Sequence, residues 1–86
     1  MNARAYTPSP GSLTMFSTTW CGYCTRLKSH LDRAGIPYSE IDVEQDPDAA
    51  DVVMKVNSGN RTVPTVIFPD GSAATNPSFA EVQSRL

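Results

Sequence analysis

The stretch Leu13-Thr14-Met15-Phe16-Ser17-Thr18-Thr19-Trp20-Cys21-Gly22-Tyr23-Cys24 places two cysteines, separated by two residues, just after a short apolar run. Leu13, Met15 and Phe16, flanked by Gly and Thr, predict a buried strand over Leu13 to Ser17. From Cys24 onward Leu27, Leu31 and Ala34 recur at helical spacing, Arg26, Lys28 and Arg33 fall between them, and Gly35 with Pro37 ends the pattern. The cysteine pair therefore stands at a strand-to-helix junction. A lone C-x-x-C could also be half of a zinc site, but His30 is the only other soft ligand, leaving three donors where a structural zinc takes four. No metal site is expected.

The helix makes the two sulfurs unequal. Cys21 falls at its N-terminus, where free backbone N–H groups and the positive end of the dipole favour a thiolate, so it is expected to be the exposed nucleophile with a depressed pKa. Cys24 lies one turn inside, on the stripe of Leu27 and Leu31, and is expected to be the buried resolving thiol. Gly22 lets the chain turn tightly beside the sulfur, and Tyr23 offers a flat amphipathic surface to whatever docks. Trp20 has two compatible roles, a core anchor with its indole N–H satisfied and a shield for the thiolate. His30 lies roughly 13 Å down the helix from Cys21 and on the opposite face, which excludes it as a general base and predicts a solvated surface histidine.

With 86 residues there is room for one small domain, whose core is thin but sufficient. A bridge between Cys21 and Cys24 closes too short a loop to act as a staple, so a disulfide scaffold is excluded. Seven Lys and Arg against nine acids give a net charge of −2 with no basic stripe, and nucleic acid is not an expected partner. Met1 to Gly11 lacks the charge and apolar run of a signal peptide, and no run approaches the roughly 20 apolar residues of a membrane span. A monomer in the cytoplasm, away from membranes, is expected. In such a reducing compartment paired cysteines are more often catalytic than structural.

Pro8, Pro10 and Gly11 predict that residues 1–11 form a poorly ordered lead-in and that the domain occupies residues 12–86. Tyr38 to Val43 alternates as a strand, and Asp46-Pro47 caps a second helix with the stripe Ala49, Val52, Val53 and Val56, ending at Asn57 to Gly59. Val63 to Phe68 predicts a third strand, which Pro69-Asp70-Gly71 turns into a weaker one over Ser72 to Thr75. A final helix begins either at Asn76-Pro77 or at the capping box Ser78/Glu81. The order β-α-β-α-β-β-α implies an α/β fold, a four-stranded mixed sheet with a parallel first crossover, an antiparallel hairpin and three flanking helices. Glu40, Asp42, Glu44, Asp46, Asp48 and Asp51 crowd one segment; a solvated edge and charge at the second helix's N-terminus account for them more simply than a metal cage. A proline at Val63-Pro64 is trans on the physics of the sequence alone.

The strings Trp20 to Cys24, Asn60-Arg61-Thr62-Val63-Pro64-Thr65-Val66, Asp70-Gly71-Ser72 and Thr75-Asn76-Pro77-Ser78 occur in an order that resembles the thioredoxin-fold glutaredoxins and, within them, the mycoredoxins, over about Leu13 to Leu86. The resemblance implies a thiol-disulfide oxidoreductase that removes mycothiol from S-mycothiolated proteins, with free mycothiol as reducing co-substrate, no tightly bound cofactor, and mycothiol disulfide reductase as an indirect partner. It also implies a cis Val63-Pro64 bond, a Val63 backbone that pairs with the thiol substrate, and a redox-active Cys21-Cys24 disulfide. Substrate contacts are then expected from Trp20, Tyr23, Thr62, Val63, Pro64, Thr75 and Asn76, with Thr18 and Arg61 beside them.

The chain departs from glutathione-using members at two places. Thr18 stands where they carry a Lys, and Thr75-Asn76-Pro77-Ser78 replaces their Gly-Gly and acidic segment. Neutral hydroxyl and amide donors suit a cysteinyl pseudodisaccharide better than the charged ends of glutathione. Two other readings fit the same motif: a general dithiol reductase fed by thioredoxin reductase, and an iron-sulfur carrier of the kind that bridges a cluster across a dimer.

Overall fold

The computed structural model describes residues 6–86 in the order β1 (Leu13–Ser17), α1 (Gly22–Ala34), β2 (Tyr38–Asp42), α2 (Pro47–Val56), β3 (Thr65–Ile67), β4 (Ala73–Thr75) and α3 (Phe79–Ser84). The expected α/β architecture with a four-stranded mixed sheet is present, ordered β2-β1-β3-β4. β1 pairs parallel with β2 and antiparallel with β3, and β3 pairs antiparallel with β4. The third strand is shorter than expected, because Val63 and Pro64 precede the ladder instead of joining it.

Alternation along β1 and β3 sorts the core between the two sheet faces. Leu13, Met15, Val66 and Phe68 pack with Leu27 and Leu31 of α1 and Val82 of α3. Phe16 and Ile67 pack on the opposite side with Ala49, Ala50, Val52 and Val53 of α2. Ala34, expected on the buried stripe of α1, is exposed, because the helix has reached the end of the sheet by its last turn.

The helix ends follow local chemistry. Gly35 closes α1 in the left-handed conformation at φ 69°, and the Ile36 N–H donates back to Leu31 O at 3.0 Å. The Asp46 carboxylate caps α2 by accepting from Ala49 N–H at 3.2 Å. Of the two starts open to α3, Ser78 is the cap, its hydroxyl accepting from Glu81 N–H at 3.1 Å. In the β3–β4 turn Asp70 accepts from both the N–H and the hydroxyl of Ser72, and these bonds hold its carboxyl below the usual range. Arg85 then ties α3 to this turn, donating to Ser72 Oγ at 2.6 Å with its guanidinium 4.1 Å above the Phe68 ring.

Of the lead-in expected over residues 1–11, residues 1–5 lie outside the described residues. Tyr6 packs edge-on against Phe16, ring centroids 5.3 Å apart, and its carbonyl accepts from Thr14 Oγ1 at 2.5 Å. Among the described residues no helix is long and apolar enough to cross a membrane.

Candidate active site

Sheet register gathers the site from three chain segments. β1 and β3 run antiparallel with Phe16 opposite Thr65, so the segment after β1 and the Thr62–Pro64 segment before β3 meet at one end of the sheet. Thr65 also faces Thr75, which brings the chain leaving β4 to the same end. There Asn76 adopts the left-handed conformation, φ 46°, and its N–H donates to Pro64 O at 2.7 Å. Asparagine tolerates that backbone better than most side chains. The Val63-Pro64 bond is cis, as the resemblance implied and the sequence physics did not.

Cys21 is the N-cap of α1 and is joined to Cys24 in a disulfide, their Cα atoms 5.2 Å apart. Cys24 N–H points at Cys21 Sγ at 3.1 Å, one of the free donors of the first helical turn turned on the sulfur. Cys24 is 1% exposed, as expected, but Cys21 is only 6% exposed and not the open sulfur anticipated. The side chain folds back over the first turn to reach Cys24, and both cysteines belong to the α1–α3 core, against which Val63 packs.

Two aromatics flank this closed pair. Trp20 is 72% exposed and not a core anchor; its indole N–H finds Glu44 Oε1 at 3.2 Å. Tyr23 is 61% exposed, with the Arg26 guanidinium 6.0 Å from its ring centroid. From Tyr23 a groove of about 360 Å³ runs between α1 and the start of α3, lined by Arg26, Leu27, His30, Asn76, Pro77, Ser78 and Phe79. His30 is half-buried there and stacks on Phe79, centroids 5.2 Å apart, where a solvated surface position was expected. It had a partner because α3 packs across its face of α1.

The expected contact residues thus divide. Tyr23 and Asn76 share the groove, while Thr62, Val63, Pro64 and Thr75 form the adjoining backbone edge. Thr18 and Arg61 line two other recesses, the first with Lys28 and Glu40, the second with Glu44 and Asp51. Ser78, expected as part of the Thr75 to Ser78 turn, lines the groove too, whereas Arg26, His30 and Phe79 were missed. The spacing Tyr23, Arg26, Leu27, His30 carried the signal, since those residues share one helical face. The crowded acids act singly: Glu40 pairs with Lys28, Glu44 with Trp20, and Asp46 caps α2. Among the described residues no group of three or more His, Cys, Asp or Glu comes together to hold a metal.

The family model described as glutaredoxin matches residues 13–72, from β1 to the β3–β4 turn. The chain belongs to the glutaredoxin family. It is 48% identical over 75 residues to Mycoredoxin 1 of Corynebacterium glutamicum, covering 87% of this chain and 92% of that one. A Mycobacterium tuberculosis protein named as a glutaredoxin is 55% identical over 75 residues, 87% of this chain and 89% of the relative. Among solved structures, a buckwheat glutaredoxin in complex with glutathione aligns with TM-score 0.71 at 29% identity, over 95% of this chain and 74% of that one. As a glutaredoxin the protein is a thiol-disulfide oxidoreductase of the type that works on mixed disulfides with a thiol co-substrate and no tightly bound cofactor.

Proposed function

We propose that the protein reduces mixed disulfides between mycothiol and protein cysteines, with free mycothiol as the reductant. The groove that opens at Tyr23, which stands between the two cysteines in sequence, supports this reading most directly. It offers an amide from Asn76, a hydroxyl from Ser78 and flat rings from Tyr23 and Phe79, which suit a sugar–inositol unit, and none of its lining residues is a carboxylate. Glutathione would bring an ammonium group that no carboxylate in this groove meets. The 48% identity to Mycoredoxin 1 supports the same substrate class.

In the proposed cycle Cys21 is the nucleophile. Once reduced, its thiolate stands at the N-terminus of α1 with Cys24 N–H directed at it, an arrangement that depresses a thiol pKa. It attacks the mycothiol sulfur of the mixed disulfide; the protein sulfur leaves as a thiolate and is protonated. Tyr23 and Asn76 flank the pseudodisaccharide while the Val63 backbone, with Thr62, Pro64 and Thr75 around it, pairs with the cysteinyl part. A second mycothiol thiolate then attacks the mycothiol sulfur held on Cys21, releasing mycothiol disulfide, which mycothiol disulfide reductase returns to the thiol. Alternatively Cys24 attacks Cys21 Sγ, expels mycothiol and closes the disulfide present in the structure. A single copy carries every residue the cycle needs, and a cytoplasmic monomer follows from the same reading.

The test is steady-state reduction of a mycothiol mixed disulfide, with glutathione and its mixed disulfide in parallel. Mycothiol is expected to support turnover far better, and equal rates would overturn the assignment. Cys21→Ser is expected to abolish turnover. Cys24→Ser should retain demycothiolation, because the route through a second mycothiol needs one sulfur only.

A further inference from the structure

Asn57 lies at the C-cap of α2, on a different element from the cysteines, yet its side-chain amide joins the segments that frame the Thr62–Pro64 edge. Nδ2 donates to Val53 O at 2.9 Å and to Thr65 Oγ1 at 3.0 Å, and Oδ1 accepts from Thr75 Oγ1. Thr65 passes the chain on, donating to Thr62 O at 2.7 Å. Thr65 and Thr75 face each other across the β3–β4 ladder, so the amide closes a clamp around the end of that hairpin. The clamp continues through Asn76 N–H to Pro64 O.

The donors and acceptors run in one direction from Thr75 through Asn57 and Thr65 to Thr62. Turning the amide over would set its oxygen against the Val53 carbonyl, two acceptors face to face, so its orientation is determined. An aspartate would lose both donors, and an aliphatic side chain all three bonds. Thr65 is fully buried, so water cannot replace the bond it would lose. A half-buried asparagine satisfied on three sides, at the base of a substrate edge, does more than close a helix.

We propose that Asn57 is a positioning residue, holding the Thr62–Pro64 edge at the place where the thiol substrate pairs with it, without touching substrate or cysteines. The proposal rests on the reading that the Val63 backbone docks the substrate. A loosened edge weakens docking but leaves the sulfur chemistry intact, since Cys21 is set by the N-terminus of α1.

Asn57→Ala, Asn57→Asp, Thr65→Val and Thr65→Ser test this, each compared with the wild type in the mixed disulfide of whichever low-molecular-weight thiol the wild type turns over. Failure of the mycothiol reading then appears in the wild type, and failure of the Asn57 role only in the variants. Asn57→Ala, Asn57→Asp and Thr65→Val are expected to raise KM by about fivefold, the worth of one net hydrogen bond, with kcat within about twofold. Single-turnover attack on a small aromatic disulfide, which has nothing to lay on the edge, should be unchanged, as should the thiolate titration of Cys21 followed by absorbance. Thr65→Ser keeps the hydroxyl and should restore KM. A folded Asn57→Ala with lowered Tm and unchanged KM overturns the proposal, and so does a parallel loss of kcat and of small-disulfide reactivity. If Asn57→Ala does not fold, the Thr65→Val and Thr65→Ser pair makes the same comparison. Val63→Pro removes the N–H of the edge together with the side chain packed on both apolar clusters. It is compared with Val63→Ala, which removes the packing alone, and the difference in KM between them locates the fault. A KM higher in Val63→Pro than in Val63→Ala with Asn57 variants unaffected rejects Asn57, and no such difference with Asn57 variants unaffected rejects edge docking and the proposal with it.

Discussion

Thr18 carries a buried hydroxyl that has no hydrogen-bond partner among the described residues. Leaving such a group unpaired costs roughly 1–3 kcal/mol, so the shape-matched change Thr18→Val is expected to stabilise the fold by about 1 kcal/mol. In a domain of this size that raises Tm by about 4–8 °C, measured by calorimetry on the oxidised protein, and a lower Tm would show that the hydroxyl is satisfied. The same position shows the limit of residue-by-residue reading. A threonine three residues before a reactive cysteine reads as an available donor, whereas its burial depends on how the chain leaving β1 packs. Trp20 and His30 depend on packing in the same way: of the two roles open to Trp20 its exposure excludes the core anchor, and a histidine expected in solvent is stacked on Phe79.

At the scale of elements, β2 is an edge strand held to β1 by a parallel backbone ladder, to which the Glu40 carboxylate adds side-chain ties. Glu40 accepts from Ser17 Oγ at 2.7 Å and pairs with Lys28 Nζ at 3.0 Å, linking β2 to β1 and α1. Burial pushes its pKa up, but the bonds from Ser17 and Lys28 and the charge of Lys28 outweigh it and hold the carboxyl below its ordinary 4.5. The depressed pKa means that the stabilisation is complete above about pH 4.5 and is lost as the pH falls through the folded value. Both side chains remain about one-third exposed, so after solvent screening the pair contributes no more than about 0.5 kcal/mol. Glu40→Gln is expected to flatten this small part of the acid limb in denaturant titrations between pH 3 and 6, roughly the span of carboxylate titration. An acid limb unaltered by the substitution would contradict that role. Element types and caps were largely legible, because Asp46-Pro47, Ser78 with Glu81, and Gly35 with Pro37 are local signals satisfied by local hydrogen bonds. The length of β3 was not, since the ladder begins only after Pro64.

Over the whole molecule, the sheet separates two apolar clusters, and Val63 packs against both, so the proposed docking edge is anchored on each side of the sheet. Tyr6 extends the α2-side cluster beyond the boundary expected at residue 12. Tyr6→Ala is expected to cost about 1 kcal/mol through the lost edge-to-face pair with Phe16, in addition to its buried area. Chemical denaturation would read this as a lower midpoint with an unchanged slope. An unchanged midpoint would place Tyr6 outside the cooperative unit, as the composition of the lead-in had suggested.

The sequence by itself determined the element order, the mixed sheet and the place of Cys21 at the start of α1, because strand alternation, helix periodicity and a position along the chain are properties of neighbours in sequence. Its longer motifs also carried the family and the cis Val63-Pro64 bond. Tertiary structure alone decided which side chains share a cavity: Tyr23 with Asn76 and the His30–Phe79 stack in one groove, Thr18 and Arg61 away from it, and Asn57 beneath the β3–β4 hairpin. Those meetings depend on strand register and on how α3 lies across α1. Residues brought together in that way are distant in sequence, and no local spacing encodes the distance between them.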